Sequence, residues 1–399
     1  MIQHPVFSVA AGIVLLCATS MAAAQSSARS FNPKTSLILQ GTYADYSSEA
    51  EPAVSGVLLG PETEPRPAGF SLAETELVIE ANVDDQFHGW ATVALENEDG
   101  ETAVAVEEAY INTLALPAGF ALKFGRFFSE LGYQNHVHAH GWDFVDLPLA
   151  YRALLAGQVN DDGAQLRWVA PTDLFFEVGV EALRGAQFPG GGDAGDGSNA
   201  GVAFVHLGGD IGESHAWRVG LSHLATEADN RLTGEDTPTA FTGDSDVSVL
   251  DFVYKWAPDG NPSQRNFVLT LEMMGRREKG TLTFDPEGTP VASAYEGDQQ
   301  GSYLQGIYKF MPRWRVGLRL ERLRSDNTVA NNPGGEFDAL LDESYDPGRA
   351  SVMLDFSNSE FSRLRLQFTR DATRPDDEKD NEVFVQYVMS LGPHPAHQF

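Results

Sequence analysis

The chain has 399 residues, of which 42% are hydrophobic and 10% aromatic, and its formal net charge is -30. This hydrophobic content argues against intrinsic disorder. The acidic charge argues against nucleic acid as a partner, because nucleic-acid binding requires a basic surface.

The first 24 residues are typical of an export signal peptide. An apolar run over residues 6–16, too short to span a bilayer, is followed by Ala22, Ala23 and Ala24. We expect cleavage after Ala24. Lipidation at Cys17, the single cysteine, is the alternative, although the bulky Leu16 before it disfavours this reading. Cleavage would leave an exported chain with no disulfide and no thiolate metal ligand.

The rest of the chain shows hydrophobic alternation with a period of two residues, which predicts β-strands. In RWRVGLRLERLR, the side chains of Val316, Leu318 and Leu320 fall on one face, whereas those of Arg315 and Arg319 fall on the other. The segments LFFEVGVEAL, DVSVLDFVYKW and SRLRLQFTR repeat this pattern. Strands are predicted to begin near residues 36, 71, 87, 102, 120, 163, 173, 200, 215, 246, 265, 301, 313, 348, 360 and 381.

Short connections alternate with long polar ones along the chain. VAPTD and DIGESH are short, whereas TEADNRLTGEDTPTAFTGDSD and REKGTLTFDPEGTPVASAYEGDQQ are long and rich in Gly and Asp. This alternation predicts an all-β fold, a transmembrane antiparallel β-barrel of about 16 strands with both ends on the periplasmic side of the bacterial outer membrane. A soluble β-sandwich is the alternative. It would not need an interfacial girdle of aromatic residues at strand ends, where this chain has Trp168, Trp217, Trp256 and Trp314.

The longest interruption, residues 129–162, is predicted to be a long third loop that carries a short helix of about ten residues. In DLPLAYRALLAGQ, Asp146 is the predicted N-cap, Pro148 is tolerated in the first turn, and Gly157 ends the helix. The apolar helix residues must pack against the inner barrel wall, so we expect the loop to fold inward and narrow the pore. These residues are Leu149, Tyr151, Leu154 and Leu155.

Three histidines occupy alternate positions of NHVHAHGWDFVD in the same loop. On an extended segment, residues two apart share a face at about 6.6–6.8 Å, which allows imidazoles to converge on one metal ion. We therefore expect a site for Zn²⁺ or another divalent cation at His136, His138 and His140, with Asp143 and Asp146 as oxygen ligands. The alternative is that these are polar loop residues bonded to backbone and water. No cofactor is expected to be required.

Charged residues of opposite sign are predicted to line different sides of the lumen. The acidic side comprises Glu74, Glu76, Glu80, Glu177 and Glu181, and the basic side comprises Arg313, Arg315, Arg319, Arg363 and Arg365. Facing each other across a water-filled bore, the two sides would orient dipolar solutes and filter ions. The alternative is that these charges only pair with one another across strands.

The last predicted strand, NEVFVQYVMSL, is expected to end near Gly392 and to leave a tail, GPHPAHQF. The terminal Phe399 resembles the signal that the barrel assembly machinery recognises during biogenesis. His394 and His397 form a second candidate metal group. The predicted boundaries are therefore a signal peptide at 1–24, an outer-membrane barrel at 25–392 and a tail at 393–399.

The stretch from GFSLAETELVIEANVDDQFHGWATVALENEDG to KFGRFFSELGYQNHVHAHGWDFVDLPLAYRALLAGQ resembles a proteobacterial outer-membrane porin-like family often described as zinc-regulated outer-membrane receptors. The overall layout is more distantly similar to the phosphate-selective porin O/P-like group, whose third loop constricts the channel. The first resemblance implies a Gram-negative outer-membrane protein with a role linked to zinc. TonB-dependent receptors, in contrast, resemble barrels of about 22 strands with a plug, for which this chain is too short.

These observations favour an outer-membrane porin that lets small solutes or ions diffuse, with a link to uptake of zinc or other divalent cations. The alternative is a non-conducting barrel whose acidic loops bind an external ligand or metal. Catalysis is not expected, because the sequence contains neither a G-x-S-x-G motif nor a recognisable Ser/His arrangement. The expected partners are outer-membrane lipid, small solutes or cations, and two further copies of the chain in a homotrimer.

Overall fold

The computed structural model describes residues 33–48, 54–60, 66–98, 101–194, 197–233, 239–285, 288–341, 347–374 and 379–393. It has sixteen barrel strands, the second of which is interrupted. The strands are β1 (Lys34–Tyr46), β2 (Gly69–Leu72 and Thr75–Asn82), β3 (Phe87–Glu98), β4 (Glu101–Thr113), β5 (Phe120–Phe128), β6 (Asn160–Val169), β7 (Phe175–Leu183), β8 (Ala200–Ile211), β9 (His215–Leu232), β10 (Thr239–Trp256), β11 (Asn266–Phe284), β12 (Val291–Met311), β13 (Trp314–Val329), β14 (Gly348–Ser359), β15 (Ser362–Ala372) and β16 (Asp380–Leu391).

The strands form a closed antiparallel barrel. Each strand pairs with the next along the chain, and β1 pairs with both β2 and β16, which closes the sheet. A two-residue segment, Gly191–Gly192, adds a short parallel pairing to β9. The predicted antiparallel barrel of about 16 strands is therefore confirmed. We call one end of the barrel the short-turn mouth. It carries the turn between β2 and β3 and every second turn after it. The opposite end is the long-loop mouth.

Four neighbouring strands are longer than the sequence suggested. β9 to β12 have 18, 18, 19 and 21 residues. β10 begins at Thr239 rather than near residue 246, and β12 begins at Val291 rather than near residue 301. The two long segments predicted as loops in this region are thus mostly strand. Hydrophobic alternation fails there because the outer face of a barrel strand is apolar only where it contacts lipid.

The outer wall carries the apolar side chains and the inner wall carries the polar ones. In β13, Leu318 and Leu320 are 48% and 47% exposed on the outside, whereas Arg319 and Glu321 are buried on the inside. The same exposed apolar band continues on the neighbouring strands at Leu304, Val352, Leu354, Leu364, Leu366 and Phe368. All four tryptophans named above lie at the strand ends near the short-turn mouth: Trp168, Trp217, Trp256 and Trp314.

One α-helix, α1 (Leu149–Leu155), lies in the loop between β5 and β6. It has seven residues rather than about ten, and its N-cap is Pro148, with no side-chain hydrogen bond. The predicted capping role of Asp146 is wrong, because that carboxylate binds two arginines of the barrel wall instead. The helix ends at Ala156 in the left-handed region, and the N–H of Gly157 donates to the carbonyl of Tyr151. Short 3-10 turns are found at Pro117–Gly119, Gln134–His136, Ala139–Gly141, Pro258–Gly260 and Asp338–Leu340.

The hydrophobic core lies inside the barrel, around α1. The four apolar helix residues predicted to face the wall are at most 2% exposed: Leu149, Tyr151, Leu154 and Leu155. They pack with wall residues Val247, Val249 and Met274. A segment of the first loop, residues 54–60, lies beside the helix, and the guanidinium of Arg276 donates to the carbonyls of both Leu58 and Leu154. None of the helices in the described ranges has the length and hydrophobicity needed to cross a membrane.

Candidate functional site

The candidate site is the loop between β5 and β6, residues 129–159, called loop three below, together with the wall residues that it touches. Its main chain is hydrogen-bonded to the inner wall at two places, Gln134 and Leu149. The N–H of Gln134 donates to Glu272 at 2.8 Å, and the N–H of Leu149 donates to Glu321 at 2.6 Å. Both acceptors are buried carboxylates. Loop three therefore lies within the lumen, rather than over its mouth.

Arginines of β15 bind the middle of loop three through its carbonyl groups. Arg363 donates to the carbonyl of His140 at 2.7 Å, and Arg365 donates to the carbonyl of Trp142 at 2.8 Å. These two arginines are 1% and 0% exposed, so both bonds form away from bulk water. The basic side of the barrel thus holds loop three by its backbone.

Two aspartates of loop three complete this attachment. Asp146 Oδ1 lies 2.7 Å from Arg319 Nη2, and Asp146 Oδ2 lies 2.6 Å from Arg349 Nη1. Asp143 Oδ1 lies 2.9 Å from Arg315 Nη1. Burial opposes the ionisation of Asp146, but the neighbouring arginines outweigh it and hold the pKa of this carboxyl well below its usual value. The structure does not bring these two aspartates to the histidines as metal ligands.

Two of the three predicted histidines face the acidic side of the barrel. His138 Nε2 lies 2.8 Å from Glu108 Oε2, and its Nδ1 lies 3.2 Å from Glu107 Oε2 and 3.5 Å from Glu76 Oε2. His140 Nδ1 lies 2.8 Å from Glu76 Oε1, and the two imidazole rings stack at 5.7 Å. Burial opposes the protonation of His138, but its hydrogen bonds to Glu107 and Glu108 raise its pKa well above the usual value. We call these five residues the His/Glu cluster.

The third histidine, His136, lies apart from the cluster. The segment is not extended, because His136 ends one 3-10 turn and His140 lies within the next. His136 Nδ1 is 3.9 Å from Glu130 Oε2, and its ring is 5.6 Å from that of Tyr133. Burial lowers the pKa of His136, although Glu130 partly offsets this effect. Alternate spacing therefore does not place all three imidazoles on one face.

A bulge in β4 supplies two ligand-type carboxylates that the sequence did not indicate. Adjacent strand residues normally point to opposite faces, so Glu107 and Glu108 should not both face inward. The register between β3 and β4 shifts here, because Thr92 pairs with Glu108 and Val93 pairs with Val106. Glu107 is the extra residue, and both glutamates contact His138. Nothing in the local sequence points to this bulge.

The remaining residues predicted to line the pore occupy several different places. Glu177 contacts His206 at 3.0 Å, Glu181 accepts hydrogen bonds from loop three, and Glu80 contacts Lys34 at 3.0 Å. Glu74 lies between the two segments of β2, and Arg313 lies in the turn between β12 and β13. The second candidate metal group, His394 and His397, lies outside the described residues.

A cavity of about 420 Å³ lies between loop three and the short-turn mouth. We call it the vestibule. Four basic side chains line its barrel side: Lys255, Lys309 and Arg315 on strands, and Arg313 in the turn between β12 and β13. Loop three closes the opposite side with His138, His140 and Trp142, so the edge of the His/Glu cluster faces this space.

No family model matches the chain. It is 31% identical over 347 residues to an Aquifex aeolicus (strain VF5) protein described as uncharacterized, and the match covers 83% of this chain and 70% of that protein. The solved structures that share its fold include the following three. OmpT of Vibrio cholerae in a trimer form has a TM-score of 0.51 at 11% identity, covering 90% of this chain and 99% of that one. The outer membrane channel DcaP of Acinetobacter baumannii has a TM-score of 0.53 at 12% identity, covering 90% and 97%. An anion-selective porin from Comamonas acidovorans has a TM-score of 0.51 at 9% identity, covering 90% and 99%.

Proposed function

This chain belongs to the same family as the Aquifex aeolicus protein, and we propose that it is an outer-membrane porin through which small hydrophilic solutes or ions diffuse. One observation carries the proposal: a closed barrel with an apolar outer band encloses a polar lumen that loop three crosses. Only a closed sheet leaves no unpaired backbone in lipid. The short-turn mouth would then face the periplasm and the long-loop mouth the exterior.

Conductance in planar bilayers tests this proposal. The purified full chain, folded in detergent and added to a bilayer, is expected to produce discrete current steps in potassium chloride. Its folded state would be verified first by its faster migration in an unheated gel. A folded barrel that produces no steps under any voltage would overturn the porin proposal.

A second candidate function is a non-conducting barrel that binds an external ligand. The attachment of loop three to both sides of the lumen favours it, since Asp146 binds the basic side and His140 binds the acidic side. Residues 54–60 fill further space beside α1. A folded barrel without current steps would support this function, so the same bilayer measurement separates the two.

We further propose that the His/Glu cluster binds a divalent cation such as Zn²⁺ within this channel. His138 Nδ1 and single carboxylate oxygens of Glu76 and Glu107 lie within 4.8 Å of one another. Tetrahedral ligands at Zn²⁺ distances of about 2.0–2.1 Å are about 3.3 Å apart. The separations of 3.2 and 3.5 Å from His138 Nδ1 to Glu107 and Glu76 match that spacing. Glu108, bonded to the other ring nitrogen, would orient the imidazole as an outer carboxylate does in zinc proteins.

Calorimetric titration of the detergent-solubilised barrel with Zn²⁺ tests the cation site. His138→Ala is expected to weaken binding by at least about 100-fold, because it removes one of three ligands and the group that holds Glu108. His136→Ala is the matched control, a histidine of the same loop that lies outside the cluster, and it should bind as the unchanged chain does. Equal losses in the two variants would contradict this assignment without affecting the porin proposal.

We propose that the chain assembles into a homotrimer, with the contact between copies formed by the wall of β1 to β5. These strands have 9 to 13 residues, apart from the interrupted β2, and are shorter than β9 to β12. Phe70 and Val104 on this wall are 91% and 68% exposed, which is more than the apolar residues of the band elsewhere. Contact between copies would cover them. Native mass spectrometry is expected to detect a trimer that Phe70→Ser weakens.

A further inference from the structure

The vestibule contains more positive charge than its own lining neutralises. Four basic side chains line it, together with a single carboxylate, that of Asp143. Both oxygens of this carboxylate already accept hydrogen bonds, Oδ1 from Arg315 at 2.9 Å and Oδ2 from the side-chain amide of Gln305 at 3.0 Å. The charge of Asp143 is therefore used to hold loop three against the wall.

Lys309 carries a charge that no described residue pairs with. Its neighbours in the cross-strand row are Asn266 and Arg315, one neutral and one cationic. Side chains directly opposite each other on neighbouring strands lie about 4.5–5.5 Å apart at Cβ, and like charges in that arrangement repel. Arg315 is neutralised by Asp143 and Asp355, whereas Lys309 faces the open cavity. An anion beside Lys309 would remove the repulsion.

Apolar side chains line another part of the vestibule. Trp142 Nε1 donates to the carbonyl of Val137 at 2.7 Å, so the polar atom of the indole is occupied and the rest of the ring is apolar. Val268 lies one row further from the short-turn mouth than Lys309, because its partner on β12 is Ile307. Trp142 and Val268 are both half-buried at the cavity surface. The vestibule thus combines a cationic rim with an apolar inner part.

From this arrangement we propose that the vestibule binds a small organic anion, with its carboxylate beside Lys309 and its apolar body against Trp142 and Val268. The proposal rests on the porin function, because it names a class of solute that enters the channel. The volume of about 420 Å³ suits a small molecule, since such sites usually measure about 300–1,000 Å³. The Lys309 ammonium would donate charge-assisted hydrogen bonds, and the exposed Arg313 at the mouth would attract the anion from solution.

A solute with only one of these two features fits the lining less well. Chloride or phosphate could neutralise Lys309, but it would leave the apolar surfaces of Trp142 and Val268 in water. A neutral aromatic solute would cover those surfaces and leave Lys309 without a counter-charge. The charge and the apolar body should therefore contribute separately to binding.

Calorimetric titration of the detergent-solubilised full chain with benzoate tests this site. A chelator is present throughout, so that no metal ion in the His/Glu cluster can bind the carboxylate. Two further probes are benzamide, which has the ring without the charge, and acetate, which has the charge without the ring. We expect one benzoate per chain, bound at least about tenfold more tightly than either of the other two.

Three variants separate the two contributions. Lys309→Gln should weaken benzoate binding at least about tenfold, whereas Lys309→Arg should keep most of it, because it keeps the positive charge. Val268→Thr, which replaces a methyl group by a hydroxyl, should weaken the binding of benzoate and leave that of acetate unchanged. Lys279→Gln is the matched control, because it alters an exposed lysine near the long-loop mouth, and it should bind as the unchanged chain does.

Equal binding of benzoate and benzamide, or equal binding by the unchanged chain and Lys309→Gln, would overturn the site. Acetate that binds as tightly as benzoate would also overturn it, since the vestibule would then attract anions without recognising an apolar body. Calorimetry does not depend on current. A barrel that conducts but does not bind benzoate would therefore refute this inference alone, whereas a barrel that binds benzoate without current steps would refute only the porin proposal.

Discussion

Asp146→Asn is the substitution that should most directly loosen loop three. In the structure, this carboxylate joins the loop to two buried arginines, Arg319 and Arg349, through bonds of 2.7 and 2.6 Å. Asparagine has nearly the same shape but carries no charge and keeps only one acceptor oxygen. The change therefore removes the charge of the attachment with little effect on packing, while the main-chain carbonyl of residue 146 still accepts from Arg319.

The free-energy cost of the substitution depends on the ion pairs that Arg319 and Arg349 keep. Removing one partner of a buried ion pair costs about 3–5 kcal/mol when the other charge is left unpaired. Here Arg319 keeps Glu321 at 3.1 Å, and Arg349 keeps Glu382 at 2.6 Å. We therefore expect a smaller cost, about 2 kcal/mol, which corresponds to a change of about 30-fold in the equilibrium between attached and detached loop.

Single-channel recording measures that equilibrium. If loop three limits permeation, Asp146→Asn should increase the ratio of open to closed time by about 30-fold. Glu296→Gln is the control, because it removes an ion pair with Lys279 in which both side chains are more than half exposed, and such pairs contribute little. An Asp146→Asn barrel with an unchanged open fraction, folded and showing a lowered thermal midpoint, would refute the claim that the loop limits permeation.

Three further outcomes are expected. Gly301→Val should lower stability by about 1–3 kcal/mol in thermal unfolding, because a Cβ at Gly301 would lie 2.7 Å from the Cβ of Ala150 in α1. Neutralising the vestibule with Lys255→Gln/Lys309→Gln should shift the reversal potential in a salt gradient toward cation preference, since it removes positive charge from the lining. The depressed pKa of Asp146 stabilises the fold above the unfolded pKa of about 3.9, and this contribution is lost as pH falls through the lower folded value. The thermal midpoints of wild type and Asp146→Asn should therefore remain different at about pH 5 and above, and converge only in stronger acid.

Most of the fold could be predicted because a membrane barrel imposes a simple pattern on its strands. Lipid on one side and polar groups on the other make residues such as Leu318 and Arg319 alternate, and that alternation located all sixteen strands. Strand ends were harder to locate. The extensions of β10 and β12 toward the long-loop mouth start at Thr239 and Val291, in polar sequence that has no alternation to detect.

The candidate site could be predicted only in part. The sequence indicated that loop three enters the barrel, because its apolar helix residues need a surface to pack against. It named Asp143 and Asp146 as the carboxylates beside the histidines, whereas the structure places both on arginines. It did not indicate Glu107 and Glu108, since these face the same way only through a bulge. The sequence also treated His136 as equivalent to His138, because a spacing of two residues does not reveal the two 3-10 turns that separate their side chains.

The charged sides of the lumen are paired with loop three, so ion selectivity is expected to arise elsewhere than between them. Opposite charges in direct contact largely cancel each other's field a few ångströms away, so Arg319 beside Asp146 exerts little net force on a passing ion. The arginines and glutamates in the middle of the lumen thus mainly position the loop. Basic residues of the vestibule that line open space, such as Lys309 and Arg313, are better placed to act on solutes. If the channel conducts, we infer that its preference between anions and cations is determined at the short-turn mouth rather than at mid-height.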